Sequence, residues 1–149
     1  MRFALDSNII LYSEGVNDPG RSSLAQNLIE AMDGLPVIIP LQALGEVLNI
    51  FTRKLALSKA SAVLKLQSWQ DDYQTQETNR PIFYDALELV SKHDFQIWDG
   101  VILAAASYAG ATFLFSEDMQ DGFIWQGTRI VNPFADLPDP IIPALLNIH

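Results

Sequence analysis

The sequence predicts an α/β domain on a mostly parallel sheet. Three observations lead there. Short apolar runs alternate with segments of helical periodicity, the first such run opens the chain, and apolar residues are plentiful enough to cover a sheet. Of 149 residues, 49% are hydrophobic and 18% charged, which excludes a disordered segment and supports a sizeable core. The length is that of one ordinary domain.

Arg2 to Leu5 reads as the first strand, ending at Asp6. Ile9-Ile10-Leu11 follows as a short helical turn, and Asn17-Asp18-Pro19-Gly20 is a turn by composition. Ser22 to Met32 carries Leu24, Leu28 and Ile29 at helical spacing, and Gly34 ends that helix. Val37-Ile38-Ile39 is a short buried strand. Leu44, Leu48, Phe51 and Leu55 recur at i, i+4, i+7 and i+11, the stripe of an amphipathic helix. Ser58 is placed to cap the next helix, striped by Val63, Leu66, Trp69 and Tyr73. Asp71 to Arg80 is polar and reads as loop. Helices are expected from about Phe83 to Lys92 and from about Trp98 to Ala109, the second stopped by Gly110. Thr112 to Phe115 and Arg129 to Val131 are strands. Asn132 to His149 holds four of the eight prolines and reads mostly as loop or tail. The expected division is one domain over residues 1–134 and a Pro-rich tail, without an assigned role, over 135–149.

Several classes of chemistry are excluded. No cysteine is present, so disulfides, thiolate metal sites and cysteine nucleophiles are absent, which is compatible with a reducing cytoplasm. The two histidines, His93 and His149, cannot build a histidine-rich metal site. Met1-Arg2-Phe3-Ala4-Leu5-Asp6 does not read as an export signal, so none is expected. No membrane span is expected, because the longest apolar stretch, Val101 to Ala106, is too short. Net charge is −9, from 9 Lys+Arg against 18 Asp+Glu, which argues against a dedicated nucleic-acid-binding module. A carboxylate-rich metal site has the same sign, so the distribution of the acids matters more than their sum.

Asp6 closes the first strand, where α/β sites are built, and an Asp there also suits an N-cap. Ser7 and Asn8 could cap instead and leave Asp6 free. Glu46 lies about 200° from Leu48 on its helix and has no cation at i±3 or i±4. An unpaired surface glutamate is the plain alternative. Asp99 opens a helix that is apolar on every side and therefore buried, so it is a cap, a metal ligand, or both. Asp118 follows a strand in Ser116-Glu117-Asp118, and Asp121 in Gln120-Asp121-Gly122 belongs mainly to a turn. Asp6, Glu46, Asp99 and Asp118 thus fall at one sheet edge or on helices facing it. Converging carboxylates repel and need a cation. Oxygen ligands of this kind suit Mg²⁺ or Mn²⁺, and the chemistry implied is metal-dependent phosphodiester hydrolysis.

The motifs resemble a known family. Leu5-Asp6-Ser7-Asn8, Gly45-Glu46-Val47-Leu48-Asn49, the run from Phe95 through Asp99 to Ala106, and Phe115-Ser116-Glu117-Asp118 with the later Val131-Asn132-Pro133-Phe134 are similar to the acidic motifs and closing strand of PIN domains, specifically toxin ribonucleases of the VapC type. The resemblance covers residues 2 to 134. It implies a central, mostly parallel sheet flanked by helices on both sides, and an Mg²⁺- or Mn²⁺-dependent endoribonuclease. It further implies a homodimer, blocked by a cognate antitoxin. Carried over by position, Asp6, Glu46, Asp99 and Asp118 would be catalytic metal ligands. Ser116, Asn8 and Asp121 would be supporting residues, and Ser7 replaces the family's Thr.

Between Glu46 and Asp71 there is no acid, while Arg53, Lys54, Lys59 and Lys65 fall there. This stretch is expected to contact RNA phosphates, with Arg53 foremost because it shares the Glu46 face; the plain alternative is solvated surface. Trp69, Tyr73 and Trp98 fit core or dimer packing better than base stacking. An RNase H-like fold would need several strands before its Glu helix, and only one precedes it here. A haloacid-dehalogenase phosphatase needs Asp where Asn8 stands, a receiver domain needs a late Lys that is lacking after Lys92, and an EF-hand fails at Glu117 to Gly122. A catalytically silent binding module on the same fold remains the rival from another class.

Overall fold

A computed structural model describes residues 1–147, so His149 lies outside the described residues. Six strands form one sheet: β1 (Phe3–Leu5), β2 (Val37–Pro40), β3 (Gln74–Gln76), β4 (Phe113–Phe115), β5 (Ile124–Trp125) and β6 (Thr128–Val131). Their spatial order is β3-β2-β1-β4-β6-β5. All pairings are parallel except β5 with β6, which form a tight antiparallel hairpin at one edge. Every residue of β1 and β2 is buried. Successive side chains of a strand point to opposite faces, so both faces of the sheet are covered, as a parallel sheet requires.

Seven α-helices supply the cover: α1 (Ser7–Ser13), α2 (Pro19–Ala31), α3 (Leu41–Asn49), α4 (Lys59–Asp72), α5 (Arg80–His93), α6 (Ile97–Tyr108) and α7 (Ile141–Leu146). Local chemistry sets their starts. Asp18 caps α2 by accepting from Gly20 N at 2.8 Å, Ser58 caps α4 by accepting from Ser61 N at 3.1 Å, and Asn79 caps α5 by accepting from Ile82 N at 3.0 Å. Helix α6 is buried from Gly100 to Ala106, as its all-round hydrophobicity predicts. Gly100 lets α5 come close: a Cβ there would sit 3.3 Å from the Ala86 carbonyl oxygen.

Five local expectations are corrected. The Ile9–Leu11 turn is part of the two-turn helix α1. The polar stretch 71–80 contains β3, an edge strand paired with β2. Its Gln-Thr-Gln has no apolar alternation because one edge and much of its surface face water. The segment after Asn132 carries α7, which packs on α2 and buries Ile142 and Leu145; Asp139 starts it by accepting from Ile141 N at 2.9 Å. The stripe through Leu55 breaks, because α3 runs into a π-helical turn over Ile50–Lys54. The wider turn leaves Phe51 buried but turns Leu55 out to 42% exposure. In α4, Val63 is exposed, and Leu66, Trp69 and Tyr73 pack against the core. Trp69 stacks on Tyr73 at 5.2 Å and donates its indole N–H to Glu14 at 2.7 Å, whereas Trp98 is 45% exposed.

Candidate active site

The strand order reverses at β1, with β2 and β3 on one side and β4, β6 and β5 on the other. In open α/β sheets, the crevice beyond the carboxyl ends at such a switch point is where sites form. Leu5 is paired with Phe115, so Asp6 and Ser116 emerge side by side, tied by Asp6 N donating to Phe115 O at 3.0 Å.

Asp6 is 2% exposed and uses both oxygens. Oδ1 caps α1 by accepting from Ser7 N at 2.7 Å. Oδ2 accepts from the Ser116 hydroxyl at 2.7 Å and from the Asn8 amide at 3.3 Å. The cap therefore belongs to Asp6, and neither Ser7 nor Asn8 takes it over. Asn8 is instead the bridge of the site. Its Oδ1 accepts from Glu117 N at 3.1 Å, and its Nδ2 donates to Asp118 Oδ2 at 3.1 Å as well as to Asp6. A backbone N–H on one side of the amide and carboxylates on the other fix its orientation. Ser116 is fully buried and also accepts from Asp118 N at 3.3 Å. Ser116 and Asn8 thus hold Asp6 and Asp118 in one network.

Glu46 and Asp99 approach from two helices. Glu46 is half-buried on α3, and its Oε1 is buried without a hydrogen-bond partner among the described residues. Burial, and then the neighbouring charges of Asp6, Asp99 and Asp118, push its carboxyl up to about 7. Asp99 sits in the first turn of α6, but the cap there is Gln96, whose Oε1 accepts from Trp98 N and Asp99 N. The Asp99 carboxyl is pushed up to about 6 by burial and then by Asp6 and Asp118. Burial also raises Asp6, with Asp118 adding to the rise, against the pull of its hydrogen bonds to Ser116 and Ser7. The charges of Asp6, Asp99 and Asp118 thus reach Glu46, and those of Asp6 and Asp118 reach Asp99, from four separate segments. The plain surface reading of Glu46 does not describe a buried, unpartnered oxygen.

Among the described residues, no three acidic or imidazole side chains are gathered as a ready-made cation cage. What suits a divalent ion is the donor set, all carboxylate oxygen, together with the orphaned Glu46 Oε1.

Asp121 stands apart. It is exposed and accepts from Asn132 N at 2.9 Å, which ties the turn after β4 to the end of β6. Glu117, which sequence reasoning missed, binds the site loop to the helices. It accepts from the Tyr12 hydroxyl at 2.7 Å and forms an ion pair with Arg21, whose guanidinium lies 5.5 Å from the Phe134 ring centre. Its one sequence signal is its place between Ser116 and Asp118. Arg53, Lys54 and Lys59 are exposed and make no ion pair among the described residues, whereas Lys65 pairs with Glu14 at 3.3 Å. Arg53 lies within the π-helical turn, which interrupts the regular helix carrying Glu46.

The family model of the PIN domain matches residues 3–121, a span that contains all four acids. This chain belongs to the PIN-domain family. No curated protein sequence matches it. The PIN fold is shared with solved toxin structures. The sarcin-ricin loop cleaving toxin VapC20 of Mycobacterium tuberculosis aligns with a TM-score of 0.64 at 16% identity, over 78% of this chain and 91% of that one. The toxin-antitoxin complex from Klebsiella pneumoniae aligns with a TM-score of 0.60 at 17% identity, over 84% and 93%. DNA-bound VapBC from Salmonella typhimurium gives a TM-score of 0.64 at 14% identity, over 87% and 96%. At these identities the likeness is one of fold.

Proposed function

We propose that this PIN-domain protein is a divalent-metal-dependent endoribonuclease that hydrolyses RNA phosphodiester bonds, and that it is the toxin of a type II toxin–antitoxin pair. One observation carries the reading: the charges of Asp6, Asp99 and Asp118 all reach Glu46, whose buried Oε1 has no hydrogen-bond partner among the described residues. These four acids would hold Mg²⁺ or Mn²⁺. When bound, the ion would supply Lewis acidity and activate water for attack on phosphorus. Asn8 and Ser116 orient Asp6 and Asp118 by hydrogen bonds, as outer residues of metal sites do. Arg53, Lys54 and Lys59 would supply phosphate contacts in an otherwise acidic chain.

An antitoxin is the proposed protein partner, supported by solved neighbours that are toxin–antitoxin complexes. A homodimer is supported by apolar residues exposed along α5, among them Phe83, Leu87 and Val90 at helical spacing. No described helix is long and apolar enough to cross a membrane. The site of action would be the cytoplasm.

A second reading, a PIN-fold binding module without catalysis, draws on the lack of a ready-made cation cage among the described residues. One experiment separates the two. Defined RNAs are incubated with Mg²⁺ or Mn²⁺ and wild type or Asp99→Asn. Wild-type cleavage reduced at least 100-fold in the variant is expected; undiminished cutting by the variant removes Asp99 from the mechanism. A wild type with neither metal-dependent cutting nor Mn²⁺-dependent thermal stabilisation is a binding module.

A further inference from the structure

We infer that the cavity between α1 and the π-helical turn is a nucleobase slot, holding one base beside the scissile phosphate; the inference rests on the ribonuclease reading. The cavity, about 250 Å³, opens next to the acids, with Asn8 and Asp118 in its lining. Its apolar walls come from Leu11 and Val16 on one side and Ile50 and Leu55 on the other. The π-helical turn creates the second wall. Leu55 N donates to Ile50 O five residues back at 3.1 Å, and the widened turn moves Leu55 off the buried stripe of α3 and onto the cavity.

The charges select the occupant. Lys54 lines the same cavity and makes no ion pair among the described residues, while the other charged groups there, Glu117 and Asp118, are acidic. A flat base, whose faces pack on apolar side chains, attached to a phosphate satisfies both halves of this lining. The base faces bury Leu and Ile surface that is otherwise wet, and Lys54 offsets the adjoining phosphate charge. Asn17, also in the lining, carries an amide of the kind that hydrogen-bonds a base edge. Π-helical turns occur often at functional sites, and this one gives the slot both its wall and its cation.

The test uses the full chain, added Mn²⁺ and a sequence-randomised RNA pool, with cut sites read by sequencing. Wild type should prefer one base class at one position beside the cut. Leu55→Trp fills the slot and Leu55→Ala widens it, and each should reduce that preference at least fivefold at that position alone. Lys54→Ala should weaken binding uniformly across sequences and reduce the salt slope by roughly 0.7. Unchanged preference in both Leu55 variants, or equal loss of cutting at every sequence, overturns the slot. Wild type that cuts RNA with no base preference also overturns it, with the ribonuclease reading intact. Wild type that cuts no RNA overturns both, before any variant is compared.

Discussion

Replacing Glu46 by Gln should stabilise the metal-free protein while abolishing the proposed metal-dependent cleavage. The folded site lifts this carboxyl from 4.5 to about 7, chiefly by burial and then by the charges of Asp6, Asp99 and Asp118. At full strength such a lift corresponds to roughly 3 kcal/mol against the ionised form. Glu46 is only half-buried, and screening reduces this to about 1–2 kcal/mol. Between pH 4.5 and 7 the folded chain keeps a proton that the unfolded chain has released. Stability of the metal-free wild type therefore falls as pH rises through that window, and the penalty is complete by about pH 8. Gln cannot ionise and escapes it. Urea unfolding in chelator should show Glu46→Gln more stable by about 1–2 kcal/mol at pH 8, with the gap closing by about pH 5. Saturating Mn²⁺ should stabilise wild type but not the variant. A variant no more stable than wild type at pH 8 would refute the argument that this oxygen is held at a cost.

Three further outcomes follow from particular contacts. Asn8→Ala removes donors to two carboxylates and the acceptor of Glu117 N, so it should cost about 1–3 kcal/mol and weaken the Mn²⁺ midpoint 10- to 100-fold. Lost stability with an unmoved midpoint would reduce Asn8 to a structural role. Gly100→Val drives a side chain against the Ala86 carbonyl and should cost about 1–3 kcal/mol, read as a lower urea midpoint at constant m; a wild-type midpoint would contradict the close α5–α6 approach. Reversing Arg53, Lys54 and Lys59 to Glu should weaken RNA binding and flatten the salt slope by roughly 2 if all three meet phosphates. An unchanged slope would move the RNA path elsewhere.

What the sequence made legible was the part governed by periodicity and strand ends. The buried helix after Asp99, the Ser58 cap and the strand ending at Asp6 each follow from one local rule, and the first and last of them set Asp99 at the start of α6 and Asp6 at the end of β1. The misses share a different cause: they depend on neighbours far along the chain. Strand β3 is polar and exists because β2 offers an unpaired edge. Helix α7 lies among prolines and is held by burial of Ile142 and Leu145 against the core. The π-helical turn preserves the apolar stripe as far as Phe51 and then abandons it at Leu55, which no α-helical period anticipates. Glu117 reads as loop because its cation, Arg21, is on a helix near the start of the chain.

The contact between Asp6 and Ser116 spans 110 positions of sequence, and β1 pairs with β4 across the same distance. A chain emerging from the ribosome thus has nothing to set beside Asp6 until β4 and the loop to Asp118 have also cleared the exit tunnel. That side of the crevice therefore depends on long-range pairing and forms only once β4 has taken its place beside β1.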